Sequence, residues 1–338
     1  MPSFSTRAVA ALISEREGLQ RVTLDDGRRA YVLTSLVGRV DVGDPVVVNT
    51  TAVDLGLGTG GWDVVHWNLA RASFDAPGPG HVMKLRYTSL QADTGVAEEA
   101  DSYRPGSLAG VPVVVCSVHS QLAAVAAAFA AGAPGRRLGY VMTDAAALPL
   151  ALSDLVACLR EKGLLALTVS AGQAFGGDHE AVNALSAMEV AVSAGADAVV
   201  AGPGPGGVGT GTGRGHGAVD AAVLVDLAGR AGACPIVAVR YSDADPRPRH
   251  RGVSHHTATA LALAHEAARV AVPDGRPRPD VTGPPHEVVD VHVPDVLALL
   301  DGAGIEVTSM GRRAADDPGF HAYAAAAGAL AASVASTR

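Results

Sequence analysis

The feature that most constrains this chain is a change of rhythm near Gly110. Beyond it, short β-branched runs at residues 111–116, 138–142, 164–169, 198–201, 236–239, 288–292 and 305–308 alternate with helix-spaced apolar stretches. Those stretches cover residues 121–131, 148–162, 181–193, 219–231, 257–271, 294–300 and 318–332. Strands and helices alternating at this length can bury their apolar faces together only as a sheet covered by helices. The expectation is therefore an α/β, Rossmann-like domain with a mainly parallel sheet.

The first part of the chain follows another pattern. Apolar and polar residues alternate through runs at 8–13, 20–24, 30–33 and 45–49, separated by Asp25-Asp26-Gly27 and Asp41-Val42-Gly43-Asp44. Period two with tight turns predicts a small all-β, barrel-like domain over residues 1–75. Phe74-Asp-Ala-Pro-Gly-Pro-Gly80 reads as a linker, and the α/β domain as residues 80–338. The glycine-rich stretch 55–62 reads as a turn, because no helix pattern follows it. Residues 82–89 read as one more strand, and 273–285 as a proline-rich surface loop.

Composition narrows the function classes. The 338 residues carry a net charge of −8, so no global basic field exists to draw nucleic acid or an anionic membrane. Any anion site must be local. Cys116, Cys158 and Cys234 have neither metal-type nor CxxC spacing and read as free thiols in a reducing compartment. Without a leader-like or membrane-length apolar run, the expectation is a cytoplasmic protein.

In open parallel sheets, ligands bind beyond the carboxyl ends of the strands. The polar clusters of this sequence fall at those ends: Ser117-Val-His-Ser120, Thr143-Asp144, Ser170 to Glu180, Gly202 to Gly217, and Ser242 to His256. His119 and Asp144 are read as ligand-binding, with a buried imidazole and an N-cap as their plainer readings. Asp178 and Glu180, which flank His179, could serve as metal ligands or bases, or as ordinary acids of a first helical turn.

The glycine run matches a phosphate-loop pattern in overlapping registers, but no Gly-Lys-Ser/Thr follows it. Only Lys84 and Lys162 occur in the whole chain, so a Walker loop is excluded. Gly204, Gly209, Thr210, Gly211 and Thr212 are expected to bring backbone close to an anion. In Pro246-Arg-Pro-Arg-His-Arg251 the prolines favour an extended chain. Arg247, Arg249 and Arg251 would then project to one side at period two, with His250 opposite. Ser254-His-His-Thr257 opens a helix, capped by Ser254 or Thr257, whose dipole favours neutral imidazoles at His255 and His256. Asp243, His255 and His256 join Asp178 and Glu180 as candidate catalytic residues. Asp178, Glu180 and His255 form the candidate set for a divalent metal.

Arg249-His-Arg-Gly-Val-Ser-His-His-Thr257 resembles a motif of an uncharacterised bacterial family, domain of unknown function 3866. Tyr140-Val-Met-Thr-Asp144, Ala174-Phe-Gly-Gly-Asp-His-Glu-Ala181, Gly202-Pro-Gly, Gly209-Thr-Gly-Thr212 and Thr308-Ser-Met-Gly-Arg312 look like its other motifs. The likeness spans nearly the whole chain. It implies that these blocks belong together and assigns no role to any residue.

From the residues, the preferred expectation is an enzyme acting on a small phosphate-bearing or anionic molecule by metal-assisted hydrolysis. The alternatives are a non-enzymatic nucleotide or metabolite sensor, and an interaction protein that uses the N-terminal β domain. A homodimer is expected through the alanine-rich face of residues 318–332.

Overall fold

The computed structural model describes residues 2–57, 60–281 and 285–338. Parts of the turn expected at 55–62 and of the loop expected at 273–285 lie outside the described residues. The chain forms two compact units, Met1–Gly95 and Val96–Arg338.

In the first unit β1 (Phe4–Arg16), β2 (Leu19–Leu24), β3 (Arg29–Leu33), β4 (Pro45–Asn49) and β5 (Trp62–Asn68) close into a barrel in the order β1-β2-β3-β5-β4. Helical turns α1 (Thr34–Val37) and α2 (Thr51–Asp54) interrupt them. The period-two pattern does what it predicts: Val46 and Val48 point inward to meet Val9, Val22, Val32 and Val65. Gly27, at φ 82, closes the turn after β2 by donating its amide to the Leu24 carbonyl. The expected linker 74–80 lies within this unit. Of the strand expected at 82–89 only β6 (Met83–Lys84) forms, paired with β7 (Ala92–Asp93). Leu85 and Tyr87 adopt φ of 52° and 61°, which breaks the extended chain.

The second unit contains, in chain order, β8 (Pro112–Cys116), α3 (Gln121–Gly132), β9 (Leu138–Thr143), α4 (Asp154–Glu161), β10 (Leu167–Ala171), β11 (His179–Ala181), α5 (Ala184–Ser193), β12 (Ala198–Pro203), α6 (Asp220–Arg230) and β13 (Cys234–Ala238). Then come β14 (Tyr241–Ser242), β15 (Gly252–Val253), α7 (His255–Leu263), β16 (Arg269–Pro273), β17 (Glu287–Val291), α8 (Val296–Gly302), β18 (Thr308–Ser309), β19 (Arg312–Arg313) and α9 (Pro318–Ser336). Eight strands pair in parallel in the order β11-β10-β9-β12-β8-β13-β16-β17. All five residues of β8 are buried, as a central strand covered on both faces requires. Helices α3, α4, α8 and α9 cover one face, and α5, α6 and α7 the other.

Local chemistry sets the helix starts. The side chains of Ser153, Asn183, Ser254 and Asp295 accept amide hydrogens from the first turns of α4, α5, α7 and α8. The stretch expected as one helix at 257–271 divides, because the Ala264 backbone turns extended and Arg269-Val-Ala-Val-Pro273 enters the sheet as β16. Residues 305–308 stay outside the sheet; Thr308 pairs instead with Arg313.

The face expected to carry a dimer is largely occupied within the chain. Ala324 to Ala327 of α9 are fully buried, in one core with α3. A Cβ on Gly328 would stand 2.2 Å from the Val125 carbonyl oxygen, so these two backbones are in direct contact. Among the described residues no helix is long and apolar enough to cross a membrane.

Candidate functional site

Strand order decides which loops meet. From β8 the chain moves over α3 toward β9, whereas from β12 it moves over α6 toward β13, and β12, β8 and β13 are neighbours. The crevice at their carboxyl ends is a topological switch point. A cleft of about 440 Å³ opens there. Its walls are Ser117–Ser120 after β8, Gly204–Thr210 after β12, and Arg240, Arg247, Arg249, His250 and His256 from the segment after β13, with Thr308 and Met310 at one side.

The glycine wall is built for close approach. A Cβ on Gly204 would lie 2.8 Å from the Ala147 carbonyl oxygen and 2.9 Å from Met142 Sδ. Among the described residues the amides of Gly206 and Gly207 find no acceptor within the chain. Beyond them a tight hairpin closes through Gly209 and His216. Thr210 donates its amide to the Gly215 carbonyl at 2.7 Å, and its Oγ1 lies 2.8 Å from Thr212 Oγ1. Gly204, Gly209 and Thr210 therefore line the cleft, whereas Gly211 and Thr212 belong to the hairpin outside it.

The arginine wall departs from the extended chain expected. Residues Pro248–His250 form a 3₁₀ turn, so Arg247, Arg249 and His250 line the cleft while Arg251 does not. Arg247 is held by Asp245, which accepts from its Nε at 2.9 Å and its Nη2 at 2.7 Å. Asp245 is buried, and these Arg247 hydrogen bonds hold its carboxyl well below the usual carboxylate range. Arg312 bridges Asp245 at 3.3 Å and Asp317 at 3.1 Å, pinning the loop to the start of α9. Arg249 is exposed, and among the described residues it has no partner.

Arg240 is the unusual residue. Only 7% exposed, it has no carboxylate within ion-pair distance among the described residues. Its Nη1 donates to His256 Nδ1 at 2.7 Å. Burial, reinforced by the neighbouring charge of Arg247, pulls its pKa down to about 10.

Four imidazoles gather beside it. The His216 ring stacks on His256 at 4.0 Å between centroids and meets His255 edge-on at 5.0 Å, and His250 lies 4.9 Å from both His255 and His256. Burial pulls the pKa of His250 down to about 4, with Arg240 and Arg247 adding to the effect. Burial, followed by the neighbouring cations, lowers His255 and His256 as well. His250, His255 and His256 are therefore neutral near pH 7. Ligand atoms of His216, His255 and His256 lie within 4.8 Å of one another.

His119 reaches the cleft wall, yet its nitrogens are engaged: Nε2 is 2.7 Å from Ser153 Oγ, and Nδ1 is 3.2 Å from both Tyr140 Oη and the Pro203 carbonyl. A carbonyl only accepts, so Nδ1 carries the hydrogen and Nε2 accepts from Ser153. Burial holds its pKa at about 4. Asp144 caps the loop after β10, accepting the Gln173 amide at 2.9 Å, and does not line the cleft. Asp243 accepts from Tyr241 Oη at 2.8 Å and from Arg276 at 3.2 Å, also outside the cleft.

The acids expected to meet His255 do not. Among the described residues the metal-capable group is His216, His255 and His256, without Asp178 or Glu180. After β10 the chain returns to the opposite edge of the sheet before β11 begins, so Asp178 accepts the Thr168 amide at 2.8 Å, at the amino end of β10. Glu180 accepts the Gly176 amide at 2.6 Å. Three strands, β9, β12 and β8, separate β10 from β13, roughly 19 Å at the usual strand spacing. Sequence reasoning missed Arg240 and His216 and turned His250 the wrong way. Arg240 is a charged residue closing the apolar run of β13, and His216 sits just before α6.

No curated protein matches the chain. The family described as "Protein of unknown function (DUF3866)" matches residues 29–328. That span takes in the barrel strands from Arg29 on, the whole cleft, the imidazole cluster and most of α9, and the chain belongs to this family.

Proposed function

We propose that the protein is an enzyme acting on a small phosphate-bearing or otherwise anionic molecule bound in the cleft. The observation that carries this reading is Arg240. A guanidinium buried without a carboxylate costs several kcal/mol, and a phosphate or carboxylate that meets it there offsets the cost with charge-assisted hydrogen bonds. The surroundings point the same way: among the described residues Arg249 has no partner, and Gly206 and Gly207, whose amides find no acceptor there, line the same cleft with donors suited to anion oxygens. A volume of about 440 Å³ suits a metabolite rather than a polymer. The neutral imidazole of His250 borders the same space and supplies a base, which favours turnover, and hydrolysis in particular, over simple sensing.

Calorimetric titration with inorganic phosphate tests the reading. Wild type binds, and Arg240→Met weakens binding by at least about tenfold, the value of one lost hydrogen bond to a charged group. A wild type that binds neither phosphate nor sulfate refutes it. Phosphate binding without turnover of any small phosphate ester favours the sensor.

A further inference from the structure

The imidazole cluster behind the arginine wall has a chemistry of its own. His216 Nε2 donates to the Gly213 carbonyl at 3.1 Å, which leaves Nδ1 as the bare nitrogen. That Nδ1 is buried and has no hydrogen-bond partner among the described residues, in a residue only 7% exposed. His255 Nε2 is likewise buried without a partner among the described residues. Two orphaned imidazole nitrogens in one small space are costly unless something occupies the space between them. A ring whose far N–H is fixed by a backbone carbonyl while its near nitrogen stays bare is how a metal-binding histidine is normally oriented.

We infer that His216, His255 and His256 hold one divalent transition-metal ion, zinc or a close relative, at the inner end of the cleft. The spacing permits it. Ligand atoms now within 4.8 Å of one another would close to roughly 3.3 Å around a tetrahedral ion at the usual zinc–nitrogen distance, a shift small enough for side-chain rotation. Three imidazole nitrogens without a carboxylate select borderline ions and disfavour magnesium and calcium. Three protein ligands also leave a fourth position, and His256 borders the cleft, so that position faces the proposed substrate site. An ion held there would polarise an anion's oxygen or acidify a bound water.

One rearrangement is required. While His256 Nδ1 accepts from Arg240, its hydrogen sits on Nε2 and the ring has no lone pair to give. Arg240 must let go before His256 can ligate, and it then turns toward the cleft.

The experiment uses the full chain, stripped with chelator and titrated with Co²⁺ alone, read by visible absorption and by metal content after gel filtration. The expected result is one Co²⁺ per chain with the intense absorption of a tetrahedral site. His216→Ala and His255→Ala should each weaken binding more than the tenfold to hundredfold that even an outer-shell partner costs, while His292→Ala leaves it unchanged. His255, in the first turn of α7 and only partly buried, keeps the test valid if His216→Ala fails to fold. Failure of wild type to retain Co²⁺, a weakly absorbing octahedral spectrum, or undiminished binding by folded His255→Ala would overturn the inference. Sulfate binding measured on the stripped protein reports separately on the anion reading, so either proposal can fail alone.

Discussion

Arg240 Nη1 stands 2.7 Å from His256 Nδ1, so a single guanidinium joins the arginine wall of the cleft to the imidazole cluster behind it. The two proposed sites would then be energetically linked. An anion that draws Arg240 into the cleft frees His256, and an ion on His256 frees Arg240. Sulfate should raise Co²⁺ affinity by roughly 5- to 150-fold, the usual range of such coupling, and Co²⁺ should raise sulfate affinity by the same factor. Titrations in both orders check it; additive binding in wild type would show that the hydrogen bond couples nothing.

The arginines should divide by position. Arg249→Ala is expected to weaken sulfate binding several-fold, and Arg251→Ala, outside the cleft, to leave it unchanged. Arg240→Met should lose the anion without losing stability, because replacing a buried unpaired charge by an apolar chain of similar length is neutral or favourable. Calorimetry beside thermal denaturation of the three variants separates these outcomes.

Acid should unfold the protein through its buried histidines. His321, fully buried with neither ring nitrogen hydrogen-bonded among the described residues, is held by burial at about 4, as are His119 and His250. The unfolded chain takes up these protons near pH 6.5, whereas the folded chain refuses them until about pH 4. The folded state is therefore favoured above pH 6.5 and loses ground as pH falls toward 4, by about 3 kcal/mol for His321 alone. Urea denaturation at a series of pH values should show this slope, and His321→Phe should flatten it.

Asp178 should prove structural. Its carboxylate accepts from the Thr168 amide at 2.8 Å and Thr168 Oγ1 at 3.1 Å, and it also binds Arg160. Asp178→Ala is expected to cost about 1–3 kcal/mol, by orphaning the Thr168 amide, and to leave sulfate and Co²⁺ affinities intact. A loss of either affinity in the folded variant would return Asp178 to the site.

How far the sequence could be read depended on the range of the cause. Period-two runs such as 45–49, cap residues such as Ser254 and the buried β8 are local, and their patterns identify them. Strand order is not local: that β12, β8 and β13 adjoin while three strands separate β10 from β13 follows from packing across the sheet, and it decided that Gly204 and Arg240 line one cleft while Asp178 meets Thr168. The prolines around Arg249 suggested an extended chain, but Pro248 equally suits the first position of a 3₁₀ turn, which turned His250 inward and Arg251 outward. His216 was masked by the glycines around it, since nothing in a flexible-looking run announces the hairpin that fixes it.

The contact between Gly328 and the Val125 carbonyl joins positions about two hundred residues apart. The pairing of α3 with α9 closes a loop of that size, and loop closure must come before the burial that rewards it. Until α9 arrives, the alanine face of α3 and the sheet beneath it stand bare to water. The protein should therefore fold slowly, through a species whose exposed apolar face makes it dependent on dilution or a chaperone.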